Sequence, residues 1–405
     1  MSFEFRPVSV EEIPQYVRAQ SIGFGENEQW YERSKPWVDF SLDRTIAAFE
    51  DDEVVATGRN YQFELTLPGG SMVTAGGVSA ITTRPTHRRR GLLRTMMTRL
   101  LEDSVEHGES VSMLTASEAT IYERFGYGVS TRAASLVMDR RDVEFVRPRP
   151  PGRFRLVDVD EADKVEPDVY DRMRRTYPGA LSRPAEWWTQ QFEPGMGNRF
   201  DVLYESPDGT IDGYATYGIR ERWGHGGPEA SLHARDVIAT TPAAEHALWR
   251  YLLEVDLVRT VSHRNIPLDT PLPWLLSSIR AARFEMVHDY VWTRLLDIPA
   301  ALGARTYAAP GKLVLEVRDG FRPGGPADGR FTVEGAPDGA TVAAAPGATA
   351  DVSCDVATVS AAWLGGVRWS ELAAAGLIDE HTPGALSLAD AMFASTPLPY
   401  PFTGF

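Results

Sequence analysis

The sequence predicts a mixed α/β (α+β) protein of two or three domains, and three observations support this prediction. The chain has 405 residues, of which 43% are hydrophobic, enough for more than one buried core. A strand–loop–helix–strand pattern occurs twice, around residues 78–116 and 229–264. A Pro-rich stretch, RPRPPGR at 147–153, marks a boundary. We therefore expect domains at 1–146, 147–297 and 298–405.

Several elements precede the first occurrence of this pattern. Residues 3–8 predict a strand, residues 10–23 predict a helix, and a turn is predicted at Pro68-Gly69-Gly70. Further strands are predicted at 45–49, 53–63 and 64–75. Residues 78–83 are apolar and β-branched, which predicts a separate buried strand.

A basic loop and a helix follow that strand. Pro85 ends the strand, Thr86 can serve as the helix N-cap, and Gly108 can end the helix. Arginines at 88–90 crowd the first turn, where the helix macrodipole is already positive. Cations beside free backbone N–H groups predict an anion site, and Gly91 allows a phosphate to approach the backbone. The alternative is a solvated arginine cluster on a surface helix.

The next segment contains a tyrosine at a suggestive position. Residues 111–116 predict a second apolar strand, and residues 117–120 can cap a short helix. Tyr122 comes next, in the sequence IYERFGYG. A phenol has a pKa of about 10, so it keeps its proton at neutral pH and can still release it to a stronger base. Taken alone, this residue could be an ordinary half-buried tyrosine.

These motifs resemble those of the GNAT N-acetyltransferases. The stretch from Arg88 to Leu93 is similar to the family's acetyl-CoA pyrophosphate loop, Arg/Gln-x-x-Gly-x-Gly/Ala, although Leu93 replaces the final small residue. The stretch from Tyr122 to Tyr127 is similar to the family's Tyr-x-x-x-Gly-Phe/Tyr element. More narrowly, THRRRGLLR, ASE, IYERFGYG and the final PFTGF resemble the Eis family of acetyltransferases.

The resemblance implies a fold, a reaction and a set of site residues. It implies two tandem GNAT-like domains followed by a sterol-carrier-protein-like α+β domain, and a homohexamer. It also implies acetyl-CoA as co-substrate, with Tyr122 protonating the departing thiolate. The residues expected to bind acetyl-CoA are Ile81, Thr82, Thr83, Arg89, Arg90, Gly91, Leu92, Leu93, Arg94, Ser117 and Glu118.

The chain ends in a rigid strip that the resemblance makes catalytic. Three prolines and three aromatic residues lie within the last nine positions, unlike a frayed tail. In the Eis family the terminal carboxylate acts as the base that accepts the amine proton, a role that falls here on Phe405. The alternatives are a tail docked only for stability, and Glu118 as the base.

Charge and composition constrain the partners. A net charge of −15 argues against nucleic acid and favours a small cationic amine or a lysine-bearing substrate. Phe24, Glu26 and Trp37 lie where acids and aromatics interleave, and they could hold an ammonium group. The equally weighted alternative is a helix pair with core aromatics and solvated acids. Aminoglycosides, polyamines and protein lysines cannot be told apart from these features.

The remaining domains predict no second cofactor site. The loop ATTPAAEHALWR of the second pattern has no glycine and no Arg-x-x-Gly, so it should not hold pyrophosphate. The apolar face of the third domain could carry lipid, although such a face is more often core. The competing hypothesis is therefore a lipid or acyl-CoA carrier with a vestigial acetyltransferase domain.

Other features of the sequence mainly exclude particular segments and sites. The N-terminus has no apolar signal sequence, and no run approaches the ~18 apolar residues of a membrane span. The histidines lack metal-ligand spacing, so no metal is expected. Cys354 is the single cysteine, is expected to be a buried structural thiol, and fits a reducing cytoplasm.

Overall fold

The computed structural model describes residues 3–26, 41–189 and 198–405, and it confirms the mixed fold. The chain forms two compact units, each made of discontinuous segments. The first comprises Met1–Thr131, Pro178–Ser182 and Tyr290–Phe405, and the second comprises Arg132–Tyr177 and Arg183–Asp289. Within the described residues, no helix is both long enough and apolar enough to cross a membrane.

The first unit contains a sheet of seven described strands. They are β1 (Glu4–Arg6), β2 (Thr45–Glu50), β3 (Glu53–Thr66), β4 (Met72–Thr83), β5 (Val111–Thr115), β6 (Gly128–Val129) and, from later in the chain, β16 (Val291–Leu295). Their order across the sheet is β1-β2-β3-β4-β5-β16-β6. The β4–β5 pair is parallel and the other pairs are antiparallel.

The structure has one continuous strand, β4, where the sequence predicted a break between residues 75 and 78. The glycines at 76 and 77 interrupt the apolar pattern, yet β4 runs through them while paired with β3. A Cβ on Gly77 would overlap the ring of Phe63, so the absence of a side chain reflects close packing and not a strand end. The predicted turn is present, with Leu67 N–H donating to Ser71 O at 2.8 Å.

Two helices pack on this sheet, α1 (Ile13–Phe24) and α2 (Leu92–Glu106). Leu92, Met96 and Leu100 of α2 are buried in a core shared with the sheet. The helix begins later than predicted. Residues Pro85–His87 form a 3₁₀ turn, and Gly91 serves as N-cap in the left-handed region at φ 82°.

The second unit repeats the sheet-and-helix arrangement. Its main strands are β7 (Arg132–Asp139), β8 (Arg153–Val157), β9 (Asn198–Glu205), β10 (Ile211–Arg220), β13 (Ala230–Ala239), β14 (Val258–Ile266) and β15 (Arg283–Asp289), with a small hairpin of β11 (Trp223–Gly224) and β12 (Gly227–Pro228). The order is β15-β7-β14-β13-β10-β9-β8. Its helices are α3 (Val159–Arg174), α4 (Ala185–Thr189) and α5 (Pro242–Glu254).

Two strands lie in sheets that the order of the chain does not suggest. Strand β7 falls in the predicted range 1–146 but pairs with β14 and β15 of the second sheet. Strand β16 falls in the range 147–297 but pairs with β5 and β6 of the first sheet. Strand β16 thereby covers the edge of β5 that faces away from β4.

The C-terminal part belongs to the first compact unit. Its sheet has the order β19-β18-β17-β20-β21. The strands are β17 (Gly311–Arg318), β18 (Gly329–Ala336), β19 (Gly339–Ala344), β20 (Val352–Asp355) and β21 (Ile378–Glu380), and the helices are α6 (Ile298–Gly303), α7 (Val356–Ala362), α8 (Trp369–Ala374) and α9 (Ala385–Phe393). Cys354 is buried, as predicted.

The tail after α9 is tied down along its length. Tyr400 N–H donates to Pro178 O at 2.9 Å, and Leu181 N–H donates to Pro401 O at 3.2 Å. Tyr400 and Thr403 are almost fully buried. The tail is therefore docked and not frayed, as its composition predicts.

Candidate active site

A cleft opens where β4 and β5 part. The two parallel strands pair only from Ala75 to Gly77 on β4 and from Val111 to Met113 on β5. Beyond that point β4 continues along β3 as far as Thr83, without further pairs to β5. A cavity of about 750 Å³ occupies the opening, and its lining includes both strand ends. Backbone groups in the cleft are thus left available to a ligand.

The far end of β4 is bulged and held in an uncommon conformation. Ala80 has φ 54°, and the β3–β4 register shifts between Thr57 and Arg59. Thr57 Oγ1 donates to Ala80 O at 2.8 Å and lies 2.7 Å from Thr82 Oγ1. A non-glycine residue in this region persists only where its surroundings fix it, which is typical of ligand sites. All three strand residues predicted to bind acetyl-CoA, Ile81, Thr82 and Thr83, line the cavity.

The N-terminus of α2 also lines the cavity. Its N-cap, Gly91, provides no side-chain cap, and no acid lies in the first turn. The first helical hydrogen bond runs from Thr95 N–H to Gly91 O at 3.2 Å. The preceding N–H groups at residues 92–94 are therefore free for an anion, and these residues line the cavity.

The arginine side chains of the loop take different directions. Arg88, Arg89 and Arg94 line the cavity. Arg90 is not among the lining residues, and its guanidinium donates to Glu50 Oε1 at 3.0 Å. Glu50 also contacts His87 Nε2 at 2.7 Å, and the hydrogen bond from His87, together with Arg90, lowers the pKa of Glu50. Sequence reasoning missed this pair, because nothing local to residue 50 signals a partner in the loop.

Tyr122 lines the cavity and lies between two 3₁₀ turns, Ala119–Ile121 and Glu123–Phe125, where a short helix was predicted. The residue is 8% exposed. Burial, with a smaller contribution from the charge of Glu118, raises the pKa of Tyr122 to about 12. The phenol is therefore protonated throughout the neutral range and can act as a proton donor.

The chain terminus reaches the same cavity. Thr115 Oγ1 donates to a carboxylate oxygen of Phe405 at 2.6 Å. The Phe405 ring lies 4.9 Å from the ring of Phe63, and a Cβ on Gly77 would lie 3.1 Å from it. Thr115 was missed from the sequence because no local signal marks it as a partner of a residue 290 positions away.

Some of the remaining predicted residues line the cavity and others do not. Ser117 and Glu118 are exposed and line the cavity. Phe24 also lines it and is 43% exposed. Glu26 is not among the lining residues, and its N–H donates to Ser21 O at 2.8 Å. Trp37 lies outside the described residues.

Three stretches of the chain match known domain families. Residues 4–130 and 179–295 match two acetyltransferase (GNAT) domains, and residues 298–401 match a sterol carrier protein domain. The chain is 36% identical to an uncharacterized N-acetyltransferase of Streptomyces avermitilis, over 98% of this chain and 97% of that protein. It is 35% identical to N-acetyltransferase Eis of Mycobacterium tuberculosis, over 85% of this chain and 84% of that protein. The chain belongs to the Eis family of GNAT N-acetyltransferases.

Solved structures agree with this assignment. Eis1 from Mycobacterium abscessus superposes with a TM-score of 0.87 at 32% identity, over the whole of both chains. A GCN5-related N-acetyltransferase from Anabaena variabilis superposes at 0.86 with 18% identity, which supports the fold alone. The predicted fold, two tandem GNAT domains and a sterol-carrier-protein-like domain, is confirmed. The protein is an N-acetyltransferase, and its GNAT fold implies acetyl-CoA as co-substrate.

The second GNAT domain differs from the first at the equivalent helix. Thr241 Oγ1 accepts from Ala244 N–H at 3.1 Å, so the N-terminus of α5 is capped by its own chain. Glu245 lies in the first turn, and burial with the charge of Asp269 raises its pKa to about 7. A helix end capped in this way and followed by an acid is poorly suited to pyrophosphate. Across the described residues, no group of three or more His, Cys, Asp or Glu could hold a metal ion.

Proposed function

We propose that this Eis-family acetyltransferase transfers the acetyl group of acetyl-CoA directly to a primary amine of a cationic acceptor. One observation carries the proposal. A single cavity joins the free N-terminus of α2, the bulged end of β4, the Tyr122 side chain and the Phe405 terminus. These are the groups needed to bind a pyrophosphate, orient a thioester, protonate a thiolate and accept a proton.

Acetyl-CoA fits the cavity by its charge and shape. Its pyrophosphate would lie on the N–H groups at residues 92–94, beside Arg88 and Arg89. Its pantetheine arm would extend along the open edge of β4. The backbone around Ile81–Thr83 would then hold the carbonyl oxygen, where negative charge develops during attack.

The chemistry proceeds without a covalent enzyme intermediate. The amine nitrogen attacks the thioester carbonyl carbon and forms the C–N bond, while the carbonyl electrons move to oxygen. The C–S bond then breaks, and the sulfur takes the proton of Tyr122. The Phe405 carboxylate accepts the proton that the amine loses, through a water molecule. The carboxyl proton returns to the phenolate through solvent, leaving an amide and free coenzyme A.

The base is weak and depends on its position. An α-carboxyl group has a pKa of about 3.5, so it is ionised at neutral pH but has little affinity for a proton. The hydrogen bond from Thr115 fixes its place in the cavity. The terminus then raises the rate through the high effective concentration of its carboxylate near the amine, and not through its basicity.

Charge supports a cationic acceptor. The net charge of −15 attracts amines, and Glu118 adds a carboxylate to the exposed part of the cavity lining. A panel of polyamines, aminoglycosides and lysine peptides, with products identified by mass spectrometry, tests the acceptor class. No turnover of acetyl-CoA with any of them would overturn the proposal.

Replacing Tyr122 with phenylalanine tests the proposed acid. We expect kcat to fall by about 10²–10⁴-fold, with little change in the KM for acetyl-CoA. Tyr251→Phe, which removes a hydroxyl from the second unit, is the matched control and should stay close to wild type. A carrier protein would show no transfer at all and would bind ligand equally well with either residue at 122.

Amidating the terminus tests the proposed base. A protein assembled by ligation with a C-terminal amide keeps the Phe405 ring and loses only the charge. We expect much lower turnover with unchanged acetyl-CoA affinity and melting temperature. Full activity would place the base elsewhere, and Glu118 would be the next residue to replace.

We also propose a homohexamer, on the strength of the resemblance to the Eis family. Light scattering at micromolar concentration measures the mass directly. A monomer mass would contradict this assembly.

A further inference from the structure

A buried ion pair links the C-terminal domain to the turn that carries Tyr122. Arg294, on β16, is fully buried. Its Nη1 donates to Phe125 O at 2.6 Å, and its Nη2 donates to Asp319 Oδ2 at 2.5 Å. Asp319 follows β17 directly and is 3% exposed. One guanidinium therefore joins the catalytic sheet, the tyrosine turn and the C-terminal domain.

The carbonyl that Arg294 holds belongs to the same turn as Tyr122. Tyr122 O accepts from Phe125 N–H at 3.0 Å and from Tyr127 N–H at 3.3 Å. Gly126 closes the turn in the left-handed region at φ 85°, and a Cβ there would overlap Arg294 Nη1. The turn is thus shaped around the guanidinium, and its position depends on that contact.

The loop that begins at Asp319 reaches further into the site. Asp319 Oδ1 accepts from the N–H groups of Phe321 and Arg322 at 3.1 and 3.0 Å. The Phe321 ring packs edge-on against Phe125 with centroids 5.1 Å apart. The guanidinium of Arg94, which lines the cavity, lies 5.0 Å from the Phe321 ring. This loop therefore touches both the tyrosine turn and the first turn of α2.

Stability alone does not explain the pair. Buried ion pairs are often no more stabilising than apolar side chains of similar size, because both charges lose their hydration. The hydrogen bond to Phe125 O, by contrast, gives the turn one fixed position. Fixing a proton donor matters, since a displacement of about 1 Å can lower a rate by about 10²-fold.

We propose that Arg294 and Asp319 are positioning residues for Tyr122, so that a loop of the C-terminal domain sets the place of the catalytic phenol. The inference rests on the proposed role of Tyr122 as the acid. It concerns different residues from the terminal carboxylate and does not depend on the identity of the base.

A double-mutant cycle in the full-length protein tests the proposal. Asp319→Asn keeps the acceptor for the loop N–H groups and removes the charge that orients Arg294. We expect kcat to fall by about 10–100-fold, with the KM for acetyl-CoA within about twofold of wild type. In the Tyr122→Phe background the same change should lower kcat by less than about threefold, because the group it positions is already gone.

Two further proteins complete the design. Removing one partner of a buried ion pair can unfold a protein, so the double variant Arg294→Met, Asp319→Asn removes both charges and still lacks the donor to Phe125 O. It should show the same loss of kcat. Glu334→Gln, a change of an exposed carboxylate on β18, is the matched control and should behave as wild type.

The outcomes distinguish the positioning role of Arg294 and Asp319 from the proposed role of Tyr122 as the acid. Equal losses of kcat from Asp319→Asn in the wild-type and Tyr122→Phe backgrounds would show a general structural effect and overturn the positioning role alone. Wild-type kcat in the folded double variant would overturn it as well. Wild-type activity in Tyr122→Phe would instead overturn the proposed acid, and the positioning role with it.

Discussion

Thr115→Val removes one hydroxyl at the chain terminus and keeps the shape of the side chain. That hydroxyl donates to the Phe405 carboxylate at 2.6 Å. A hydrogen bond to a charged acceptor contributes about 1.5–3 kcal/mol, against about 0.5–1.5 kcal/mol for a neutral one. The substitution therefore removes about 1.5–3 kcal/mol of interaction that holds the ionised carboxylate in place.

Two effects on the rate oppose each other in this variant. A more basic carboxylate would accept the amine proton slightly better. A terminus released from Thr115 would, however, lose its placement, and a misplacement of about 1 Å can cost about 10²-fold. Placement should dominate, so we expect kcat/KM for the acceptor to fall by about 10–100-fold on its plateau.

The assay is kcat/KM for the amine at saturating acetyl-CoA and one fixed pH, with the KM for acetyl-CoA measured separately. Thr332→Val, a strand threonine of β18, is the matched control and should leave the rate unchanged. A Thr115→Val protein with the wild-type kcat/KM would refute the role given to the terminus.

Three other predictions concern the tail, the anion site and the second unit. Gly179→Ala should lower kcat without changing acetyl-CoA affinity. Gly179 has φ 84°, and an added Cβ would lie 2.7 Å from the Tyr400 nitrogen, so the tail that carries Phe405 should shift. A wild-type kcat would show that the tail tolerates the change. Arg89→Ala should raise the Kd for acetyl-CoA by about tenfold and Arg90→Ala should raise it much less, since of these two arginines Arg89 lines the cavity and Arg90 does not. Titration calorimetry measures both dissociation constants, and equal values for the two variants would contradict the placement. Burial and the charges of Asp201 and Asp236 raise the pKa of Glu166 to about 8, so its stabilising contribution, present in acid, is lost as the pH rises from about 4.5 through about 8. Glu166→Gln should therefore melt higher than wild type at pH 9, and equal or lower melting there would contradict the shift.

The parts of the site that could be predicted from the sequence are those marked by local motifs. The N-terminus of α2 is suited to an anion because of features within a few residues: Gly91 at the N-cap, no acid in the first turn and arginines beside it. Tyr122 is likewise marked by its own turn. Errors at this level were small shifts, such as the helix start moving from Thr86 to Gly91, where a left-handed glycine replaced a threonine cap.

Long-range pairs could not be predicted, since they depend on the order of strands in the sheet. Glu50 contacts His87 across 37 residues because β2 and β4 run in the same direction, so that Glu50 and the loop after β4 lie at the same end of the sheet. Arg294 reaches Phe125 because β16 lies between β5 and β6. No periodicity in the chain reveals that β16 joins the first sheet while β7 joins the second.

The C-terminal part of the chain supplies what the first GNAT sheet lacks. In the proposed mechanism that sheet provides the anion site and the phenol, whereas Phe405 provides the base and Asp319 holds Tyr122 in place. The tail that delivers Phe405 is in turn fixed by Pro178–Ser182, which hydrogen-bonds to the end of β3 through Gly179 N–H to Thr66 O at 2.8 Å. Because proton donor and proton acceptor are placed by separate segments, each can be displaced without the other. Variants at Asp319 and at Gly179 should therefore lower kcat independently, and their effects should multiply when combined.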